Sequence, residues 1–414
     1  MNAVLVWSIA AATIAGVLFR PRGWPEAVWA SLGAILLVAL HLLTPRQAGE
    51  AVGRGVDVYL FLTGMMLLAE LARREGVFDW LAGLAVRASR GSRARLFAMV
   101  YAVGVLVTVF LSNDATAVVL TPAVYAAVKK ARADVLSYLF ICAFVANAAS
   151  FVLPISNPAN LVVYGRNLPP LVPWLRVFLL PSICAIAATY LALRWILREE
   201  IRGGIDAHGV TALSRDGRRA AWGLVISGVT LLAASAGGFD LGWPTCAAAT
   251  GSVLVTTRLR GAAMREVAFG VSWSVLPLVG GLFVLVEALD QAGALQQALR
   301  VLSFFAAMPG TGGALAASFG TAALSNVMNN LPSGLLAGSA LAVFRVAPQI
   351  RDSVLVGVDL GPNLSVTGSL ATVLWLIALR REGVQISAWR FLKLGALVMP
   401  PALFLATLAV SWTK

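Results

Sequence analysis

The chain has 414 residues, 59% of them hydrophobic and 12% charged, with a formal net charge of +13. That is far more apolar than a water-soluble domain of ordinary composition. Apolar runs of about 17 to 25 residues recur from end to end, each long enough to cross hydrocarbon as a helix, while the alternating segments a barrel requires do not. The basic excess lacks aromatic interleaving, so it reads as loop orientation and not as a nucleic-acid surface.

In chain order, spans are predicted near 3–19, 27–43 and 57–72, then a compound region 94–128, a long run 134–165 and a further span at 172–197. The first segment, up to Phe19, lacks a basic leader and a small-residue cleavage site, so it is taken as a span and not as a signal peptide. The most polar stretch follows, REEIRGGIDAHGVTALSRDGRR (198–219). The pattern then restarts with spans near 220–237, 243–258 and 271–288, a compound region 311–344, a long run 353–380 and a last span at 390–412. Amphipathic stretches 77–90 and 290–304 read as interfacial helices packing against the compound regions.

The two halves share one plan. GMMLLAELARREGVFDWLAGLAVRAS in the first faces GGLFVLVEALDQAGALQQALRVLS in the second, so Glu70 and Glu287 occupy one slot, at span ends beside charged loops where an interfacial role fits. FLSNDATAVVLTP faces VMNNLPSGLLAG, and NAASFVLPISNPANLVVYG faces DLGPNLSVTGSLATVLW, pairing Asn147 with Asp359 and Ser156 and Asn157 with Gly368 and Ser369. Internal symmetry with interrupted hydrophobic segments at matching positions points to the binding site of a secondary transporter.

The expected fold is an all-α polytopic membrane protein: two inverted repeats, each of five transmembrane helices plus one re-entrant hairpin, with broken helices at the midplane. The repeats are 1–197 (hairpin 94–128, broken helix 134–165) and 220–414 (hairpin 311–344, broken helix 353–380), joined by the linker 198–219. Of the 32 Lys and Arg residues, this layout puts 24 on one side and 8 on the other. The rich side, with the linker, is therefore assigned to the cytoplasm and both termini to the outside.

Polar residues at the interruptions define the candidate site. In hydrocarbon an irregular backbone is tolerated only where it is buried in protein or lines a wet cavity. The first hairpin tip offers Ser112, Asn113 and Thr116, and the second Asn326, Asn329 and Asn330. The first broken helix offers Asn147, Ser156 and Asn157, and the second Thr367, Gly368 and Ser369. Free helix ends, amides and hydroxyls suit a small, oxygen-rich solute, and the absence of Arg and Lys at these tips disfavours a strongly anionic one. Asp114 and Asp359 are the acids of this core. An ionisable group in a membrane interior is a functional hypothesis by default, here proton coupling, against the alternative that each caps a broken helix end. Cys142, Cys184 and Cys246 lie far apart in apolar segments, and His41 and His208 are too separated for a metal centre, so neither metal nor cofactor is expected. With no nucleophile–base pair among the motifs, an enzyme is the least favoured class.

At FLSNDATAVVLTP, ISNPANLVV, LSNVMNNLPSGLLAG and DLGPNLSVTGSLATVLWL the sequence resembles the arsenite efflux permeases of the ArsB type, within the ion-transporter superfamily. The resemblance covers nearly the whole chain. It departs at NDAT, where N-D-G-A is usual, and at Asn363, where a basic residue is usual. It implies export of arsenite and antimonite across the cytoplasmic membrane, driven by protons or, in some members, by a cytosolic ATPase partner. It also implies elevator-like alternating access, and dimers are common in the superfamily. Two competing readings are a Na⁺- or H⁺-coupled carrier of dicarboxylates or citrate, and a channel subunit energised by an ATPase docking on 198–219.

Overall fold

The computed structural model describes residues 2–206 and 212–413, leaving out the side chain of Arg166. Met1, Lys414, His208 and the middle of the expected linker lie outside the described residues. Among those described, the regular structure is helical, apart from an isolated antiparallel bridge between Ser92 and Gly204.

The first half runs through α1 (Ala3–Phe19), α2 (Glu26–Ala39), α3 (Pro45–Arg54), α4 (Val56–Arg74), α5 (Val77–Ala88) and α6 (Arg93–Phe110). It continues with α7 (Asn113–Ala115), a π-helical segment Thr116–Leu120, α8 (Thr121–Lys130), α9 (Val135–Ala148), α10 (Pro158–Tyr164) and α11 (Leu171–Ile196). The second half has α12 (Arg215–Ala236), α13 (Gly242–Thr257), α14 (Gly261–Gly270), α15 (Val275–Gln291) and α16 (Ala294–Ala306). It closes with α17 (Gly312–Met328), α18 (Asn330–Val343), α19 (Pro348–Leu360), α20 (Leu370–Arg381) and α21 (Ala388–Trp412). The long runs are interrupted between α9 and α10 and between α19 and α20. The amphipathic α5 packs on α6 and α8, and α16 packs on α17 and α18.

Packing is reciprocal between the halves. Helix α2 lies along α15 and α4 along α13, α1 packs on α2 as α12 does on α13, and α11 and α21 pack on each other. Close approach at one matched slot makes this possible. A Cβ on Gly64 would lie 2.6 Å from the Thr245 backbone, and one on Gly281 would lie 2.7 Å from the Ala30 backbone. Only glycine lets two helix backbones meet at that distance.

Sequence reading misses α3 and α14, which lead into α4 and α15 across bends of 51° and 42°. For α3 a signal was present: Thr44 and Gln47 form a reciprocal capping box and Pro45 fills the first helical position. Among the described residues, four helices, α6, α11, α12 and α21, are individually long and apolar enough to cross a membrane, and six segments qualify when each bent pair counts as one. Helices α1, α2, α9 and α18 are apolar but shorter.

Both compound regions fold back on themselves. In an unbroken helix, residues eight apart are separated by about 12 Å along the axis. Yet the Thr108 and Thr116 hydroxyls are 2.8 Å apart, and the Ser325 and Ser333 hydroxyls 3.2 Å apart. The chain therefore reverses midway, at Ser112 and at Asn329, and a buried hydroxyl pair clasps each tip. Ser112 caps α7 by accepting from the Ala115 N–H, at 3.3 Å. Pro122 cannot donate to the helical ladder, which widens into the π segment before it. The Thr121 hydroxyl then serves the Thr116 carbonyl at 3.2 Å.

The described start of the linker is a strap across the base of the first hairpin. Arg93 N–H donates to the Gly203 carbonyl, Ile205 N–H to that of Gly91, and Asp206 N–H to that of Ala131. It thereby ties the turn before α6 to the turn after α8.

Candidate transport site

The two broken helices end against one another. Asp359, the penultimate residue of α19, is fully buried, and each of its carboxylate oxygens accepts one bond from the first half: Oδ1 from Asn157 Nδ2 at 2.9 Å and Oδ2 from the Ser150 hydroxyl at 2.8 Å. Reciprocally, Asn147 near the end of α9 donates through Nδ2 to Asn363 Oδ1 at 3.0 Å in the second break, and Asn363 Nδ2 donates to the Phe144 carbonyl at 3.0 Å. A basic residue at 363 would bury a charge in this joint, which accounts for the amide there. Asn157 Oδ1 also caps α10 by accepting from Ala159 N–H at 3.0 Å, and Ser369 caps α20 by accepting from Thr372 N–H at 3.1 Å. Ser156 donates to the Val109 carbonyl at 2.9 Å, joining the first break to the first hairpin.

The second hairpin is stitched to the second break in the same way. Asn326 Nδ2 donates to the Gly361 carbonyl at 2.9 Å, and its Oδ1 accepts from the Ser365 hydroxyl at 2.6 Å. Thr367 donates to the Asn326 carbonyl at 3.0 Å, Asn329 Nδ2 to the Thr367 carbonyl at 3.3 Å, and Asn330 N–H to the Gly368 carbonyl at 2.9 Å. The structure thus brings the sequence-derived residues of each hairpin and break together, through bonds that mostly consume their polar groups.

A cavity of about 1170 Å³ adjoins this joint. On one side are α1, α2, α4 and the α14–α15 bend, and on the other the first hairpin, Pro158 and α20. Of the sequence-derived residues, Ser112, Asp114 and Thr367 lie on its wall; Asn113, Thr116, Asn147, Ser156, Asn157, Asn326, Asn329, Asn330, Gly368, Ser369 and Asp359 lie behind it. Asn113 Oδ1 is taken by the Asp114 N–H at 2.9 Å, whereas the Asp114 carboxylate has no hydrogen-bond partner among the described residues. The wall carries four arginines, Arg20, Arg73, Arg380 and Arg381, and five acids, Glu26, Glu70, Asp79, Asp114 and Glu382. The arginines cluster at helix ends, and Asp114 stands at the hairpin tip. The cavity therefore runs from a charged mouth to a polar tip.

Ser150, Asn160, Ser365 and Thr372 take part in the joint without having been singled out from sequence; Asn363, marked there only as a departure from the family pattern, joins them. All five sit inside the broken-helix motifs, so the signal was local polarity within an apolar run. A separate cluster lies about 10 Å along α19 from Asp359. There the Tyr164 hydroxyl donates to Asp352 Oδ1 at 2.7 Å, and Arg351 Nε donates to the same oxygen at 2.7 Å.

Apolar helices arranged around a polar joint of broken helix ends, with a cavity reaching it, define a multi-pass integral membrane transporter. The sequence profile of the family described as Citrate transporter (CitMHS) matches residues 10–358, and the chain belongs to that family, within the ion-transporter superfamily. Its relatives include the arsenical pump membrane proteins of Yersinia enterocolitica, 28% identical over 99% of this chain and 98% of that protein, and of Escherichia coli strain K12, 27% identical over the same shares. The fold is similar to that of the Alcanivorax borkumensis YdaH transporter, with a TM-score of 0.57 and 15% identity over 93% of this chain and 97% of that one.

Proposed function

We propose that the protein exports the uncharged trihydroxides of trivalent arsenic and antimony across the cytoplasmic membrane by proton antiport. The observation that carries this reading is the wall of the cavity: near-balanced charge along its length and one carboxylate, Asp114, without a protein partner at its polar end. A balanced wall does not concentrate an anion, and the hydroxyls on it, those of Ser112, Ser272, Ser274 and Thr367, together with Asp114 can hydrogen-bond a neutral hydroxylated solute. Names given to the relatives point the same way.

In this reading each half contributes five spans and a re-entrant hairpin, and the second half is inverted. The spans are α1, α2, the α3–α4 pair, the α9–α10 pair and α11, then α12, α13, the α14–α15 pair, the α19–α20 pair and α21. The linker faces the cytoplasm and both termini face outward. The cavity separates α1, α2, α4 and α15 from the first hairpin and α20, so the first group acts as scaffold and the second moves against it, as in an elevator. Asp114 takes up a proton in one position and releases it in the other.

The test is arsenite accumulation by everted vesicles under an inward-acid pH gradient. The wild-type protein is expected to accumulate arsenite until the gradient is collapsed at constant membrane potential, and Asp114→Asn to show no gradient-driven accumulation. Equal accumulation without the gradient refutes proton coupling. A second reading, an anionic carrier of citrate type, is favoured by Arg380 and Arg381, which form no ion pair among the described residues, and by the family's description. It predicts citrate uptake and competition between citrate and arsenite in the same vesicles.

A further inference from the structure

We infer that Glu70 sets the charge selectivity of the cavity by holding Arg73 neutralised on its wall. This deepens the arsenite reading and rests on it. Glu70 is 8% exposed although it lies near the charged end of α4. Its carboxylate takes the Arg73 guanidinium in a two-point contact, Nε to Oε2 at 2.7 Å and Nη2 to Oε1 at 2.6 Å, and both residues line the cavity. Such a fork fixes geometry as well as charge.

The matching slot in the second half solves the same problem differently. Glu287 is neutralised from another helix, by an ion pair with Arg54, the last residue of α3. The residue that ends α14, the counterpart of α3, is Gly270, which supplies no cation. It supplies room instead: a Cβ there would lie 2.0 Å from Glu70 Oε1. The first-half acid is therefore left to the arginine of its own helix. The pair sits on the wall of the cavity, whereas Glu287 and Arg54 do not line it.

Removing the carboxylate alone leaves a guanidinium facing the cavity. The wall then carries four arginines against four acids, and its potential shifts toward attracting anions. Glu70 is thus a specificity-determining residue: it excludes oxyanions that share oxygen chemistry with the neutral substrate.

The experiment places a reporter thiol at Ala126→Cys, on the same wall, in the full-length protein in vesicles. Labelling rates are compared for anionic and cationic methanethiosulfonate reagents, against protein lacking the reporter as background. Glu70→Gln should raise the anionic-to-cationic rate ratio severalfold, Arg73→Gln should lower it, and Glu70→Gln with Arg73→Gln should return it to the starting value. In arsenite flux, Glu70→Gln should become inhibitable by citrate. A ratio unchanged in Glu70→Gln, or a double variant that stays shifted, overturns the inference. If Glu70→Gln does not accumulate in the membrane, Arg73→Gln decides alone: it must lower the ratio, and an unchanged ratio overturns the inference equally. A wild-type protein without arsenite flux sinks the functional reading, while unchanged ratios alongside intact flux sink this one.

Discussion

Asp114 and Asp359 share a residue type and lie close to the same joint, yet their surroundings differ. Asp359 accepts two bonds from groups more than 200 residues away and is sealed from the cavity. Asp114 faces the cavity with no bond to lose. Substitution of Asp359 by Asn replaces one accepting oxygen by an amide N–H₂ set against the Asn157 amide or the Ser150 hydroxyl, with an expected cost of about 1–3 kcal/mol. Asp114→Asn should change stability by less than about 0.5 kcal/mol while removing proton coupling. Thermal unfolding in detergent, read beside vesicle transport, separates the two; equal destabilisation would contradict the assignment. Both acids were legible in the sequence, since a carboxylate in an apolar run stands out. Their difference was not, because Ser150 and Asn157 become partners of Asp359 only when the two halves meet.

At the scale of elements, the hairpins depend on tips and clasps. Thr108→Val and Ser325→Ala each remove one buried hydroxyl pair, and each should cost about 1 kcal/mol. The two clasps share no partner, so the double variant should lose about the sum, measurable as additive shifts in detergent unfolding. The tip of the second hairpin carries a further strain: Asn329 has φ 77° and ψ 154°, a region that side chains rarely adopt. Asn329→Gly should therefore be less destabilising than Asn329→Ala, although both lose the bond to Thr367. The reverse order in a melting series would show that the side-chain bond outweighs the backbone. Sequence reading located both reversals from Asn, Asp and Pro clusters. It could not supply the clasps, since hydroxyls eight residues apart in a continuous apolar run do not announce that they face each other.

Over the whole molecule, repetition was the most readable property. The motif pairs FLSNDATAVVLTP with VMNNLPSGLLAG and the two broken runs fall on equivalent elements, and α5 and α16 pack where expected. What was hidden is the cavity, because it is bounded by helix ends that read in sequence only as charged loops: Arg20, Arg73, Arg380 and Arg381. The orientation argued from charge makes this mouth cytoplasmic. A thiol introduced at Ala126 should then react with a membrane-impermeant reagent in everted vesicles and not in intact cells; the opposite result inverts the topology. On the far stretch of α19, the bond from Tyr164 to Asp352 closes α10 against the start of that helix.

The lengths of chain spanned by these polar bonds set an order of assembly. Each hairpin clasp joins residues eight apart, so it forms as soon as its own segment is made. The bonds of the joint connect residues 202, 209 and 216 apart and carry a much larger loop-closure cost. While the first half waits in the bilayer, Asn147, Ser150 and Asn157 have no cross-half partners. The joint therefore forms late, when α19 and the break after it arrive, and the strap at residues 203–206 reaches the base of the first hairpin before that, while the joint is still open.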